Sequence, residues 1–189
     1  MSKKILVVAA LLTVVCVGGA FGWAIGIQGG GGVNGGGGAA ITFKLDQLPL
    51  VFAADFAGNT KTDYFVIGVT GDYWFIQETI VDTGIGPFGW FLGGGAGVSF
   101  RVWGDDYKDY RSHKYPKNHP KYNEDYDHDS DFGMRVAGRL PIGLNMMIQA
   151  GSVEIEPYIQ AVPQVGVWLI DVYGIYWDVD FNLGVRFHF

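Results

Sequence analysis

The chain has 189 residues and a formal net charge of −6; 49% of it is hydrophobic and 15% aromatic, and glycine occurs 30 times. That apolar share excludes a disordered chain, and the mild negative charge offers no basic surface for nucleic acid. So much glycine disfavours packed helices, at about 1 kcal/mol per interior helical position relative to alanine, and leaves one β-rich domain as the expected class.

Residues 1–20 read as a cleavable signal peptide. Lys3 and Lys4 give a positive start, Ile5 to Val17 is an apolar run, and Gly18-Gly19-Ala20 supplies small residues for cleavage after Ala20 or after Gly22. The run is short for a membrane helix. Cys16, the single cysteine, lies inside it, so the exported chain is expected to carry no thiol. Acylation of Cys16 is the rival reading, and Val15 just before it is larger than the small residue such lipoprotein signals carry.

Residues 21–189 read as about eight strands, because large apolar residues alternate with polar ones or glycine and side chains of a strand point to opposite faces in turn. Trp23 to Gln28 is the first, followed by a glycine-rich connection from Gly29 to Gly38 that lacks the Lys-Ser/Thr ending of a phosphate loop. Ala39 to Leu45 and Leu50 to Ala57 flank a turn at Asp46-Gln47-Leu48-Pro49. They put Ile41, Phe43, Phe52 and Phe56 on one face and Lys44 and Asp55 on the other. Tyr64 to Phe75 sets Phe65, Ile67 and Val69 against Thr70 and Asp72. Ile76 to Pro87 is a connection long for a turn, and extension of the flanking strands into part of it is the other reading. Phe88 to Trp103 opposes Trp90, Leu92 and Phe100 to Gly93, Gly95 and Arg101.

Residues 105–131 differ in chemistry. Asp, Tyr, Lys and His crowd there with two prolines and no apolar periodicity, so a large exposed loop is expected. His113, His119 and His128 with Asp127 and Asp129 are ligand-type residues for a divalent metal. The glycine and distal glutamate of a calcium loop are missing, and the segment reads as a solvated loop of mixed charge. Its tyrosines suit a contact surface, since Tyr gives a large area at low entropy cost. Phe132 to Met146 follows, with Arg135, Arg139 and Asn145 on the polar face. Val153 to Leu169 carries Glu154, Glu156, Tyr158 and Gln160 there.

The last stretch alternates most strictly. Trp177, Val179, Phe181, Leu183, Val185, Phe187 and Phe189 are apolar, while Asp178, Asp180, Asn182, Arg186 and His188 interleave as polar residues. It exceeds the roughly 9–11 residues a strand needs to cross a bilayer. This ending resembles the terminal strand of bacterial outer-membrane β-barrels. The resemblance implies that Phe189, Phe187, Val185, Leu183 and Phe181 form the signal read by the barrel-assembly machinery, with periplasmic chaperones escorting the chain.

The polar faces together hold Lys44, Arg101, Arg135, Arg139 and Arg186 against Asp55, Asp72, Glu154, Glu156, Asp178 and Asp180. Such charges inside a narrow tube are expected to pair, because isolated buried charge is very costly. A lipocalin-like inversion, apolar inward, would leave a broad apolar belt in water.

The expected fold is thus an eight-stranded antiparallel up-and-down transmembrane β-barrel, apolar outside and polar within. It is similar to the small outer-membrane proteins of the OmpX, OmpA and OmpW type. That resemblance implies a bacterial outer-membrane location among outer-membrane lipids, and a structural or surface-interaction role with an extracellular ligand at the loop. A small solute channel is the alternative and an outer-membrane enzyme the third reading. No catalytic residue, cofactor or metal site is assigned.

Overall fold

A computed structural model describes residues 22–34, 36–59, 64–103, 132–170 and 174–189. The signal-peptide segment with Cys16, and the loop at 105–131 with His113, His119, His128, Asp127 and Asp129, lie outside these described residues.

The described chain is all-β and antiparallel, 88% of it in strands. The strands are β1 (Trp23–Gly32), β2 (Gly37–Leu45), β3 (Leu50–Asn59), β4 (Tyr64–Thr83), β5 (Gly86–Trp103), β6 (Phe132–Arg139), β7 (Ile142–Met146), β8 (Ile148–Ala150), β9 (Val153–Ile170) and β10 (Gly174–His188). From β1 to β6 successive strands pair, β6 and β7 each lie between β5 and β9, β8 pairs with β9, and β10 pairs with both β9 and β1. Because β6, β7 and β8 run end to end in one place of the order, the sheet is a closed ring of eight strands. Closure leaves no unpaired edge among these positions.

The ring is sealed where the described ends meet. Ala24 lies opposite His188, the Phe189 amide donates to the Trp23 carbonyl at 2.9 Å, and the Trp23 and Phe189 rings sit 5.0 Å apart. At this termini end the turns are short. Leu48-Pro49 ends the β2–β3 hairpin, with the Trp74 amide donating to the Pro49 carbonyl at 2.7 Å. Thr83 closes β4–β5, its hydroxyl accepting from the Gly86 amide at 3.2 Å. Gly86 holds φ at 146°, where a Cβ would run into the Met147 carbonyl; glycine is required there.

Three differences from the sequence expectation have physical causes. The glycines read as a flexible connection extend β1 to Gly32 and start β2 at Gly37, paired in register. Glycine carries no side chain to show alternation, yet its backbone completes the ladder. At Ile76–Pro87 the flanking strands extend through nearly the whole stretch rather than part of it, β4 and β5 continuing past two bulges, at Trp74/Ile76 and Thr79/Val81. The sixth strand breaks at Leu140-Pro141, since proline has no N–H to donate. The ladder is rescued around it: Leu140 N donates to Pro163 O at 2.9 Å, and Pro141 O accepts from Gly93 N at 2.8 Å.

Polarity is inverted relative to a soluble protein. Ile27, Ile175, Trp177, Leu183 and Phe181 point outward, between 54% and 82% exposed. Lys44, Asp72, Arg139, Glu156 and Arg186 point inward and are buried. Beside these charges the interior holds a buried cluster of Val51, Trp74, Phe91 and Tyr158.

Candidate functional site

The interior divides into a packed layer at the termini end and a cavity toward the opposite, loop end. Glu156 on β9 anchors the packed layer and is wholly buried. Its Oε1 accepts from Lys44 Nζ at 3.1 Å and Asn145 Nδ2 at 2.7 Å. Its Oε2 accepts from Arg186 at 3.2 Å and faces His188 Nε2 at 3.0 Å. Four strands, β2, β7, β9 and β10, thereby converge on one carboxylate. The other nitrogen of His188 faces Asp46 Oδ1 at 2.8 Å. Carboxylate oxygens only accept, so a ring between two of them must donate from both nitrogens and carry a proton on each.

Aromatic rings fill the rest of this layer. Trp74 and Phe91 stack with centroids 3.8 Å apart at 8°. Lys44 and Arg186 lie 4.8 and 5.1 Å from the Trp74 ring, and Arg186 is 3.9 Å from that of Tyr158. The cations are thus held between a carboxylate and aromatic faces, which partly replaces lost hydration. The Tyr158 hydroxyl reaches Gln28 at 2.9 Å. Glycines make the room: a Cβ on Gly184 would strike the Tyr158 ring, and one on Gly143 the Phe91 ring.

Above this layer Arg139 meets Asp72 at 3.0 Å. Beyond them opens a cavity of about 150 Å³ whose walls include Asp55, Asp178, Asp180, Arg101, Arg135 and Arg139. Here the charges are arranged differently. Asp180 accepts from Gln164 Nε2 at 2.8 Å and Asp178 from the Asn34 amide at 3.1 Å. Arg135 donates from Nε to Ser99 Oγ. Arg101 lies 4.6 Å from the Trp168 ring, and Arg135 lies 5.1 Å from that of Tyr176.

Of the polar residues picked out in sequence, the ring brings Lys44, Glu156 and Arg186 together, and Asp72 with Arg139. Asp55, Asp178, Asp180 and Arg135 face the shared cavity but form no ion pair with one another among the described residues. Glu154 is half-buried near the β8–β9 turn, opposite Gln149. Phe181, Leu183, Phe187 and Phe189, read in sequence as an assembly signal, are exposed on the outer face, with Val185 half-buried between its neighbours there.

Sequence reasoning passed over Trp74 and Phe91, the aromatics that close the interior. The signal was present: Trp74 shares the parity of Thr70 and Asp72, and Phe91 that of Gly89 and Gly93. Among the described residues no group of three His, Cys, Asp or Glu side chains is placed to hold a metal. The chain matches no protein-family model and none of the curated proteins compared with it.

Proposed function

We propose that this chain is an integral β-barrel of the bacterial outer membrane, with a structural or surface-interaction role and no catalytic activity. One observation carries the reading: the ring turns its large apolar side chains outward and its charges inward. In water such an exterior exceeds the few hundred Å² of contiguous apolar patch that monomers usually show. In a bilayer the same exterior is solvated by acyl chains, while closure satisfies every ladder hydrogen bond internally.

In this reading residues 1–20 direct export, and the assembly machinery reads Phe189, Phe187, Val185, Leu183 and Phe181. The even strand number keeps both termini periplasmic and sends residues 105–131 outward to meet an extracellular ligand. A surface role is preferred to a solute channel because Glu156, Trp74, Phe91 and Tyr158 fill the interior at one end.

Single-tryptophan proteins test the membrane reading. Trp177 is 63% exposed on the outer face and Trp74 is 2% exposed inside. In vesicles with brominated acyl chains, emission from a protein retaining Trp177 alone falls strongly, and emission from one retaining Trp74 alone changes little. Equal insensitivity of both would sink the proposal, as would a native chain that stays monomeric and soluble without detergent. Folding is followed separately by the change in electrophoretic mobility on boiling.

A further inference from the structure

We propose that the loop-end cavity binds a small zwitterion bearing a primary ammonium and a carboxylate, of the size of an α-amino acid. The inference goes beyond the barrel reading and rests on the closed ring alone.

Size comes first. The cavity measures about 150 Å³. It lies below the roughly 300–1,000 Å³ of sites for drug-sized molecules. The described walls leave room for an amino-acid-sized solute.

Charge comes second. Asp178 and Asp180 on β10 converge: a Cβ placed on Gly32 would meet Oδ2 of one and Oδ1 of the other. With Asp55 from β3 they give one cavity an acceptor-rich wall. Arg135 presents the opposite charge to the same space. It is held by Ser99 and by the faces of Tyr176, 5.1 Å away, and Trp168, 5.9 Å away. No carboxylate among the described residues pairs with it.

Opposite charges in a secluded interior normally collapse into pairs, because each alone carries a large desolvation cost. Here stacking and short hydrogen bonds keep them apart across an open space. A ligand with two charges completes both sides. Its ammonium donates to Asp178 and Asp180, and its carboxylate accepts from Arg135. A simple cation leaves Arg135 unmet; a simple anion leaves the carboxylates unmet.

The test is calorimetric titration of the purified full chain in detergent, with its folded state first verified by the boiling-induced mobility shift. Alanine and serine serve as zwitterionic probes, and propylamine and propionate as single-charge controls. Saturable binding of the zwitterions is expected, with about tenfold or greater weakening for either single-charge probe. Asp180→Asn and Arg135→Gln should each weaken zwitterion binding by a similar factor. No saturable binding by the folded native protein overturns the proposal. So do single-charge probes that bind as well as the zwitterions, and folded variants that bind them unchanged. Where a variant fails to fold, the comparison of probes on the native protein decides alone.

Discussion

Glu156 is the residue whose loss the molecule tolerates least. Both its oxygens are fully occupied, by Lys44, Asn145, Arg186 and His188, and it is wholly buried. Glu156→Gln removes the charge and strands two buried cations, and breaking such a group costs about 3–5 kcal/mol. Asp72 faces one cation, Arg139, so Asp72→Asn is expected to cost less. Urea unfolding of the two variants in the same detergent, followed by mobility, ranks them; the reverse order would show that Glu156 does not organise the packed layer. Small residues matter beside it. A methyl on Gly184 meets the Tyr158 ring, which Arg186 and Gln28 hold in place. Gly184→Ala should therefore cost about 1–3 kcal/mol by overpacking. At Gly84 a Cβ meets nothing within 4 Å, and Gly84→Ala should change stability by no more than about 0.5 kcal/mol.

At the scale of elements, the hairpin joining β4 to β5 is set apart. It runs past two bulges to a turn at Thr83–Gly86, with Ile80, Val81 and Ile85 exposed. Its tip is tied to the chain after β7 by the Met147 amide on the Pro87 carbonyl, at 3.0 Å. Gly86→Ala puts a side chain at a φ of 146° and against the Met147 carbonyl, a strain of about 1–3 kcal/mol. The effect should stay local: amides of residues 76–90 exchange faster with solvent while those of β1, β9 and β10 keep their protection. Uniformly faster exchange would make the hairpin part of the ring's cooperative unit. This hairpin also marks where the sequence stops being legible. In β10 or β3 one face is restricted to apolar residues, so period two is written in the side chains. In Gln77-Glu78-Thr79-Ile80-Val81-Asp82 neither face is restricted, and only backbone pairing makes a strand. The glycines of β1 and β2 are silent for the same reason. Inward-facing charges could be named from parity, but which of them meet depends on the stagger of eight strands around the ring. Hence Arg139 finds Asp72, while Arg135 finds Ser99 and aromatic faces.

On the scale of the whole molecule, the question is whether the ring is a passage. An eight-stranded ring has an interior that side chains just fill, and this one fills it unevenly. Toward the loop end a cavity remains. At the termini end the stacked rings of Trp74 and Phe91 lie beside the Lys44–Glu156–Arg186 cluster, Trp74 at 2% exposure and Phe91 at zero. An ion crossing would have to displace rings that also carry the cations through their faces. The folded native protein is therefore expected to give no current steps in a planar bilayer. Charge reversal at Arg135 should leave it silent, because that residue sits on the cavity side of the obstruction. Removing both rings in Trp74→Ala/Phe91→Ala opens space beside the cluster without removing a charge, and steps should then appear. Reproducible steps from the native protein would mean that the packed layer opens as a unit and would move the function toward a channel. Silence from a folded double variant would assign the whole obstruction to Glu156 and its cations, leaving the aromatic stack the role of holding Lys44 and Arg186 in position.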